Sequence, residues 1–141
     1  MKSEVSPVPA AHFHHPVRVY WEDTDAGGIV FYANYLKFFE RARTEWLRGF
    51  GFGQETLRRD SGIAFVVSET RLSYRRPARL DDLIEVSVSV VHLGQASLEI
   101  SQQARRADEL LAEGMIRIGC VELGTFRPCR IPNEIRLSLH R

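Results

Sequence analysis

Two aspartates and two glycines stand between a short apolar stretch and a long amphipathic one. Asp25 follows Asp23 in an Asp-Thr-Asp sequence, and Gly27 and Gly28 come almost directly after it. A carboxylate is able to attack a carbonyl carbon, or to remove a proton from a water that attacks it. The glycines let the backbone bend closely around a ligand. A helix that begins just beyond them presents free N–H groups to the carbonyl oxygen, so the stretch indicates acyl chemistry.

The polar residues of this stretch have structural interpretations as well. An aspartate just before a helix usually caps the helix or forms an Asx turn. At least six residues separate Asp25 from the predicted helix start, and this spacing argues against capping. Asp23 is interpreted as fixing the turn through local hydrogen bonds. Asn34 is expected to cap the helix, and contact with a ligand is the alternative.

The elements that position these residues follow from the apolar periodicity. Residues 17–21 predict a short strand, and a helix is expected from somewhere in 31–35 to about residue 50. Its apolar stripe consists of Tyr35, Phe39, Ala42, Trp46 and Phe50, widened by Leu36 and Leu47. Period-two patterns predict four further strands, and Pro132 opens a short last helix. These elements cover residues 63–74, 84–90, 98–102, 111–121 and 133–140.

One strand, one long helix and four consecutive strands define a class of fold. Strands joined by short turns form a mostly antiparallel sheet, and a helix with a single apolar face needs one face of that sheet. The sequence therefore predicts an α+β domain in which five antiparallel strands wrap around one central helix. On the last predicted strand, Ala112, Gly114 and Gly119 are expected to permit close approach of backbone or ligand.

Composition excludes several classes of protein. The 141 residues suit one domain with a real core, and the net charge of +1 gives no general attraction to nucleic acid or anionic membranes. No apolar run approaches the roughly 20 residues that span a bilayer. Cys120 and Cys129 fit no metal-ligand spacing. They are interpreted as a reduced pair in a cytoplasmic protein, with one disulfide as the alternative.

The N-terminal segment is predicted to be a flexible lead-in over residues 1–16, followed by a single domain over 17–141. It has no apolar core of the kind a secretory signal needs. His12, His14 and His15 lie in this segment. Because no carboxylate or further histidine stands nearby at ligand spacing, an exposed polar tail is favoured over a metal site.

Residues 20–35 read Tyr-Trp-Glu-Asp-Thr-Asp-Ala-Gly-Gly-Ile-Val-Phe-Tyr-Ala-Asn-Tyr. This block, together with residues 38–46, 64–67 and 74–82, resembles the hotdog-fold thioesterases of the 4-hydroxybenzoyl-CoA thioesterase type. The resemblance is strongest to the Tol–Pal-associated (YbgC-type) branch, whose name suggests a link to the cell envelope. It implies a hotdog fold and hydrolysis of acyl-CoA to a free acid and CoA, without metal or other cofactor. It also implies a homo-oligomer, a dimer or tetramer, whose active site lies at the dimer interface.

The resemblance further implies particular roles. Asp25 is the catalytic carboxylate, acting either as nucleophile or as general base, and the backbone N–H of Tyr32 polarises the thioester carbonyl. The acyl group is expected to contact Gly28, Val30, Phe31, Val66, Val67 and Ser68. Ser68 is interpreted either as a residue that positions water or as an ordinary strand serine.

Binding of the CoA phosphates is predicted with two alternatives. Members of the family often carry basic residues between the third and fourth strands, but the turn at residues 93–96 has none. Arg75, Arg76 and Arg79 either take this role or form a solvated strand end. Acyl carrier protein therefore stays possible as the acyl donor.

Two rival functions compete with hydrolysis. A non-catalytic hotdog protein would bind acyl-CoA or a partner as a sensor or scaffold, but it would not need the Asp25 carboxylate. A dehydratase of the same fold would need a catalytic histidine, and none stands near Asp25 in the motif. No histidine stands beside a serine or cysteine in a way that supports a catalytic triad.

Overall fold

The computed structural model describes residues 13–139. It contains five strands, three α-helices and two short 3₁₀ turns at Trp21–Asp23 and Tyr32–Asn34. The strands are β1 (Phe13–Arg18), β2 (Ile63–Tyr74), β3 (Leu83–Leu93), β4 (Ser97–Arg106) and β5 (Glu109–Glu122). The helices are α1 (Tyr35–Gly49), α2 (Gln54–Ser61) and α3 (Asn133–Leu139).

All five strands join one antiparallel sheet in the order β1–β3–β4–β5–β2. Helix α1 packs against this sheet, with contacts to β1 and β3. The core lies between them: Phe38, Phe39 and Ala42 of α1 and Ile84 and Val88 of β3 are fully buried. The predicted α+β architecture, five antiparallel strands around one long helix, is confirmed.

The apolar stripe of the long helix differs from the predicted one at three positions. Leu36 is 46% exposed and Phe50 is 41% exposed, whereas Phe38 is fully buried. Residues at three- and four-residue steps share a helix face, but the face that meets the sheet is centred on Phe38, Phe39 and Ala42. The rest of the stripe, including Trp46, is buried as predicted.

The first strand lies earlier than predicted. It covers residues 13–18, not 17–21, because it pairs along β3 from Phe13 opposite Val88 to Arg18 opposite Leu83. The predicted lead-in is therefore wrong for residues 13–16, and residues 1–12 lie outside the described part. His14 and His15 belong to the sheet, and His14 Nδ1 lies 3.2 Å from Glu85 Oε1. The exposed-tail interpretation is wrong for these two histidines.

The remaining elements agree with the sequence to within a few residues. β2 has the predicted bounds, and β3, β4 and β5 each extend further than predicted. The last helix ends at Leu139, and the predicted end at residue 140 lies outside the described residues. Within residues 13–139 there is no cluster of His, Cys, Asp and Glu able to hold a metal ion.

Over the same residues, no helix combines the length and the apolar character needed to cross a membrane.

Candidate active site

The loop that carries Asp25 is a tight turn closed by the backbone. Thr24 and Val30 form a β-bridge, and inside it the Asp25 N–H donates to the Ile29 carbonyl at 2.8 Å. The Gly28 N–H donates to the Asp25 carbonyl at 3.0 Å. Gly28 has φ = 81°, a conformation that residues with a side chain rarely adopt. The turn thus fixes the backbone at Asp25, and glycine makes this possible.

The Asp25 carboxylate lies on the exposed side of this turn. Its Oδ1 accepts a hydrogen bond from the Gly27 N–H at 2.8 Å, which is an Asx turn. Its Oδ2 accepts no hydrogen bond from residues 13–139. One oxygen therefore stabilises the loop, and the other is available to a substrate or to a water.

The opening of the long helix presents free donors. The 3₁₀ turn Tyr32–Asn34 runs directly into α1, and the Asn34 N–H donates to the Phe31 carbonyl at 2.8 Å. The N–H groups of Tyr32 and Ala33 have no acceptor within the described residues. Such groups carry the positive end of the helix dipole, so they favour an oxygen that gains negative charge.

A buried hydrogen bond joins the loop to the helix opening. Asn34 Nδ2 donates to Asp23 Oδ1 at 2.6 Å, and the Tyr20 N–H donates to Asp23 Oδ2 at 2.8 Å. The prediction that Asp23 fixes the turn is confirmed. The prediction that Asn34 caps the helix is wrong, because the helical backbone already begins at Tyr32 and the Asn34 side chain bonds Asp23 instead.

An aromatic cleft of about 250 Å³ lies at the same helix opening. The Tyr32 and Tyr74 rings meet edge to face with centroids 6.0 Å apart, and Tyr35 packs against Tyr74 at 5.7 Å. Burial raises the pKa of the Tyr35 and Tyr74 hydroxyls above the ordinary value of 10.0. Arg75 and Arg76 complete the rim. The cleft thus combines apolar faces with cations.

The predicted substrate contacts fall into two groups. Gly28, Val30 and Phe31 lie beside Asp25, whereas Val66, Val67 and Ser68 lie on β2. Because a strand rises about 3.3 Å per residue, Val67 is roughly 20 Å from the end of β2 at Tyr74, where the cleft lies. A single protomer does not bring the two groups together.

Ser68 stands where the register between β2 and β5 shifts. Its hydroxyl donates to the Arg117 carbonyl at 3.3 Å, and the side chain is exposed. This contact is the one an ordinary strand serine makes at a bulge.

A second cavity, of about 140 Å³, lies between the later half of α1, α2 and the sheet, and Val67 is part of its wall. Arg43 also lines it and donates to Gln102 Oε1 at 3.0 Å. Gln102 is fully buried and donates in turn to the Phe39 carbonyl at 3.1 Å. Burial lowers the pKa of Arg43. Sequence reasoning missed this polar link, although a glutamine at an inward position of β4 was a usable signal.

The three predicted phosphate-binding arginines lie close to the Asp25 loop. Arg79 forms a β-bridge with Ile29, inside that loop. Arg75 pairs with Glu113 at 2.7 Å, and Arg76 pairs with Glu109 at 3.2 Å.

The turn at residues 93–96, which has no basic residue of its own, receives a cation from α3. The Arg136 guanidinium donates to the Gly94 carbonyl. A positive charge is therefore present at this turn, and it comes from a helix far away in sequence.

Residues 19–139 match the family model of the Thioesterase-like superfamily. This match covers most of the chain, and the chain therefore belongs to that superfamily. The predicted hotdog fold and the predicted class of enzyme, a thioester hydrolase, both agree with this match.

Curated relatives narrow the class of protein within this superfamily to the acyl-CoA thioesterases. An acyl-CoA thioesterase YbgC of Haemophilus influenzae is 43% identical over 91% of this chain and 94% of its own length. An acyl-CoA thioester hydrolase YbgC of Escherichia coli is 42% identical over 87% of this chain and 92% of its own length. The predicted resemblance to the YbgC-type branch is confirmed.

Two solved structures share the fold of this chain. A probable thioesterase from Bartonella henselae superimposes with a TM-score of 0.81 and 33% identity, covering 87% of this chain and 100% of that one. A protein from Aquifex aeolicus described as hypothetical gives a TM-score of 0.84 and 31% identity, covering 90% and 98%.

Proposed function

We propose that this protein hydrolyses acyl-CoA thioesters to a free acid and CoA, with Asp25 as the reacting carboxylate and the Tyr32 N–H as donor to the carbonyl oxygen. One observation carries the proposal. A carboxylate with an unoccupied oxygen and a helix opening with unoccupied N–H groups belong to one short segment, which a buried hydrogen bond closes. The names of the relatives support acyl-CoA as the substrate class.

The reaction needs little more than these groups. The thioester oxygen accepts a hydrogen bond from the Tyr32 N–H, which makes the carbonyl carbon more electrophilic; one such donor is worth about 10²- to 10³-fold in rate. In the general-base route, Asp25 takes a proton from water, the water oxygen bonds the carbon, and the C–S bond breaks. The proton then passes to the departing thiolate. In the nucleophilic route, an Asp25 oxygen bonds the carbonyl carbon while the C–S bond breaks and CoA leaves as the thiolate. Water then hydrolyses the anhydride to the free acid and the Asp25 carboxylate, and the released proton neutralises the thiolate.

The arginines beside the loop support binding of the CoA phosphates. Their partners Glu109 and Glu113 belong to partly exposed pairs, which contribute only about 0–1 kcal/mol each. Replacing these carboxylate partners of the arginines with CoA phosphates therefore costs little free energy. Arg75 and Arg76 also line the aromatic cleft together with Tyr32, which supports their contact with a ligand bound there.

The shape of the sheet supports a dimer. β2 is an edge strand, and Val66 and Val67 are exposed on it. An exposed edge is a template for pairing with a second strand. Antiparallel pairing of two β2 strands would carry Val66, Val67 and Ser68 of one subunit toward the Tyr74 end of the other. A register that sets Val67 of one subunit opposite Tyr74 of the other would unite the two groups of predicted substrate contacts.

Thiol detection with a panel of acyl-CoA substrates of different chain length and aromatic content tests the activity. We expect continuous thiol release with at least one member of the panel. Tight acyl-CoA binding without thiol release would instead identify a non-catalytic binding protein. Parallel reactions with acylated carrier protein distinguish the two acyl donors.

Single-turnover hydrolysis in heavy-oxygen water separates the two routes. Label found in Asp25 by mass spectrometry supports the anhydride route. Label found only in the free acid excludes an anhydride that water opens at the Asp25 carbonyl carbon, and it is the result expected of the general-base route.

A further inference from the structure

We propose that Asp23 and Asn34 form a positioning pair, whose buried hydrogen bond holds the Asp25 carboxylate and the Tyr32 N–H in the geometry needed for catalysis. The inference rests on the proposed function, because those two groups are its targets. Neither Asp23 nor Asn34 is proposed to touch the substrate.

The hydrogen bond of the pair closes the chain segment that carries both reacting groups into a loop. Asp25 lies two residues after Asp23, and Tyr32 lies two residues before Asn34. The side-chain bond from Asn34 Nδ2 to Asp23 Oδ1, 2.6 Å long, therefore ties the two ends of the segment that contains both. A second bond, from the Phe31 N–H to the Asp23 carbonyl at 2.9 Å, reinforces the closure through the backbone.

Every acceptor of Asp23 is used to fix the chain. Its Oδ1 bonds Asn34, its Oδ2 bonds the Tyr20 N–H, and its carbonyl bonds the Phe31 N–H. The Tyr20 N–H belongs to the segment before the loop, the Phe31 N–H to the end of the loop and the Asn34 side chain to the helix opening. A rotation of the Asp23 side chain would therefore move the loop relative to the helix.

Burial makes the pair hard to replace by water. Asp23 is 4% exposed and Asn34 is 7% exposed, and no cation pairs with Asp23 within residues 13–139. A buried carboxylate without a cation depends on its hydrogen-bond donors, and such charge-assisted bonds are stronger than neutral ones. Asn34 is the only side chain in the described part that bonds it. The same bond that stabilises this charge thus sets the geometry of the site.

The bond can be broken and rebuilt with its donor and acceptor exchanged. In Asp23→Asn, the new amide oxygen still accepts from the Tyr20 N–H, but the charge-assisted bond to Asn34 is lost. Its NH₂ group meets the NH₂ group of Asn34 unless the Asn34 amide turns over, and then only a weaker neutral bond with reversed direction forms. In the double variant Asp23→Asn/Asn34→Asp, the new amide donates to the new carboxylate, so both bonds return. Glu22→Gln is the matched control, because Glu22 is an exposed carboxylate in the same 3₁₀ turn.

The experiment measures kcat, KM and the melting temperature with an acyl-CoA that the wild type hydrolyses. We expect Asp23→Asn to lower kcat by about 10- to 100-fold with KM changed less than about threefold, because a misplacement of about 1 Å can cost about 10²-fold. The double variant should recover most of kcat. Glu22→Gln should match the wild type. If Asp23→Asn does not fold, Asn34→Ser, which keeps a shorter donor, takes its place with the same expectation.

Two results would overturn the inference. One is a folded Asp23→Asn protein with wild-type kcat. The other is a double variant that recovers the melting temperature but not kcat. Asp25→Asn, measured in the same series, separates failure of this inference from failure of the proposed function. Activity that survives Asp25→Asn refutes the catalytic assignment. Activity that is lost in Asp25→Asn but kept in Asp23→Asn refutes only the positioning pair.

Discussion

At the scale of single residues, the two oxygens of Asp25 have different surroundings. Oδ1 is held by the Gly27 N–H, and Oδ2 is left without a bond inside the described chain. An Asx turn and a catalytic role are usually treated as alternatives for such an aspartate. Here they are compatible, because the turn uses only one oxygen and also fixes the direction of the other.

The two cysteines lead to a prediction at the same scale. Cys120 is buried and Cys129 is half-buried, and their sulfur atoms lie 3.5 Å apart as free thiols. Burial, reinforced by Cys129, raises the pKa of the Cys120 thiol to about 12. Because the thiolate is the reactive form, we expect iodoacetamide at mildly alkaline pH to label Cys129 well before Cys120. Mass spectrometry of the alkylated peptides measures both.

The same shift has a consequence for stability. The folded chain keeps the Cys120 proton to a higher pH than the unfolded chain, whose thiol has the ordinary pKa of 9.0. The stability from this group is thus complete below pH 9.0 and is lost as the pH rises toward about 12. In urea both thiols should label alike. Equal labelling of the two cysteines in the folded protein would contradict the prediction.

Residue roles were predictable from sequence where they depend on local geometry. The turn-fixing bonds of Asp23 follow from its position three residues after Tyr20. The role of Asn34 was not predictable, because it depends on where the helical backbone begins, and helix starts are set by tertiary packing within a residue or two. The free oxygen of Asp25 likewise appears only in three dimensions.

At the scale of elements, strand pairing in the sheet positions the site. The sequence predicted most of the strands and their approximate bounds. Strands β3 and β4 alternate apolar and polar residues over residues 84–90 and 98–102, which is a strong local signal. β1 carries two histidines and Pro16, so it lacks that signal, and its bounds follow from the partner edge of β3. The period of α1 predicts the helix and most of its buried face, but it does not distinguish Phe38, which is buried, from Leu36 and Phe50, which are exposed.

Close packing between β2 and β5 leads to a second prediction. A methyl group on Gly114 would overlap Leu72 Cδ2 and lie 2.9 Å from the Arg71 carbonyl oxygen. We expect Gly114→Ala to lower the free energy of unfolding by about 1–3 kcal/mol through overpacking. Urea unfolding measures the change.

Gly119→Ala is the matched control on the same strand. A methyl group there would have no atom within 4 Å. No protein atom therefore approaches Gly119 closely in the described protomer, whereas the close approach of backbone expected at Gly114 is confirmed. An equal loss of stability in both variants would show that the Gly114 contact is not the cause.

At the scale of the whole molecule, the proposed site is incomplete in one protomer. The loop group around Asp25 lies at the Tyr74 end of β2, whereas the strand group around Val67 lies near the middle of that strand. Apolar periodicity predicts the helices and strands of one chain, but it does not predict how two chains pair. The separation of the two groups could therefore not be predicted from sequence. The expectation of a shared site came from the family resemblance, and the exposed β2 edge is what supports it structurally.

Subunit mixing tests this shared site. Asp25→Asn removes the loop function and Val67→Arg blocks the strand side, so each homodimer should be weakly active. After unfolding and refolding as an equal mixture, we expect activity of about a quarter of wild type, because half of the dimers are mixed and each holds one intact site. Light scattering verifies the dimer.

Asp25→Asn mixed with Asp25→Ala is the control and should recover nothing. A monomer in solution, or mixed dimers without recovered activity, would contradict a site shared across the β2 edge.

The most direct test of the catalytic assignment is kcat for thiol release by Asp25→Asn, compared with wild type and Tyr32→Phe at matched melting temperatures. Asp25→Asn should lose at least about 100-fold, the scale of a lost acid–base or nucleophilic group. Tyr32→Phe should keep most of the activity, because the side-chain change leaves the backbone donor in place. A folded Asp25→Asn protein with more than about a tenth of wild-type kcat, a loss of less than about 1.4 kcal/mol in barrier terms, would contradict the account.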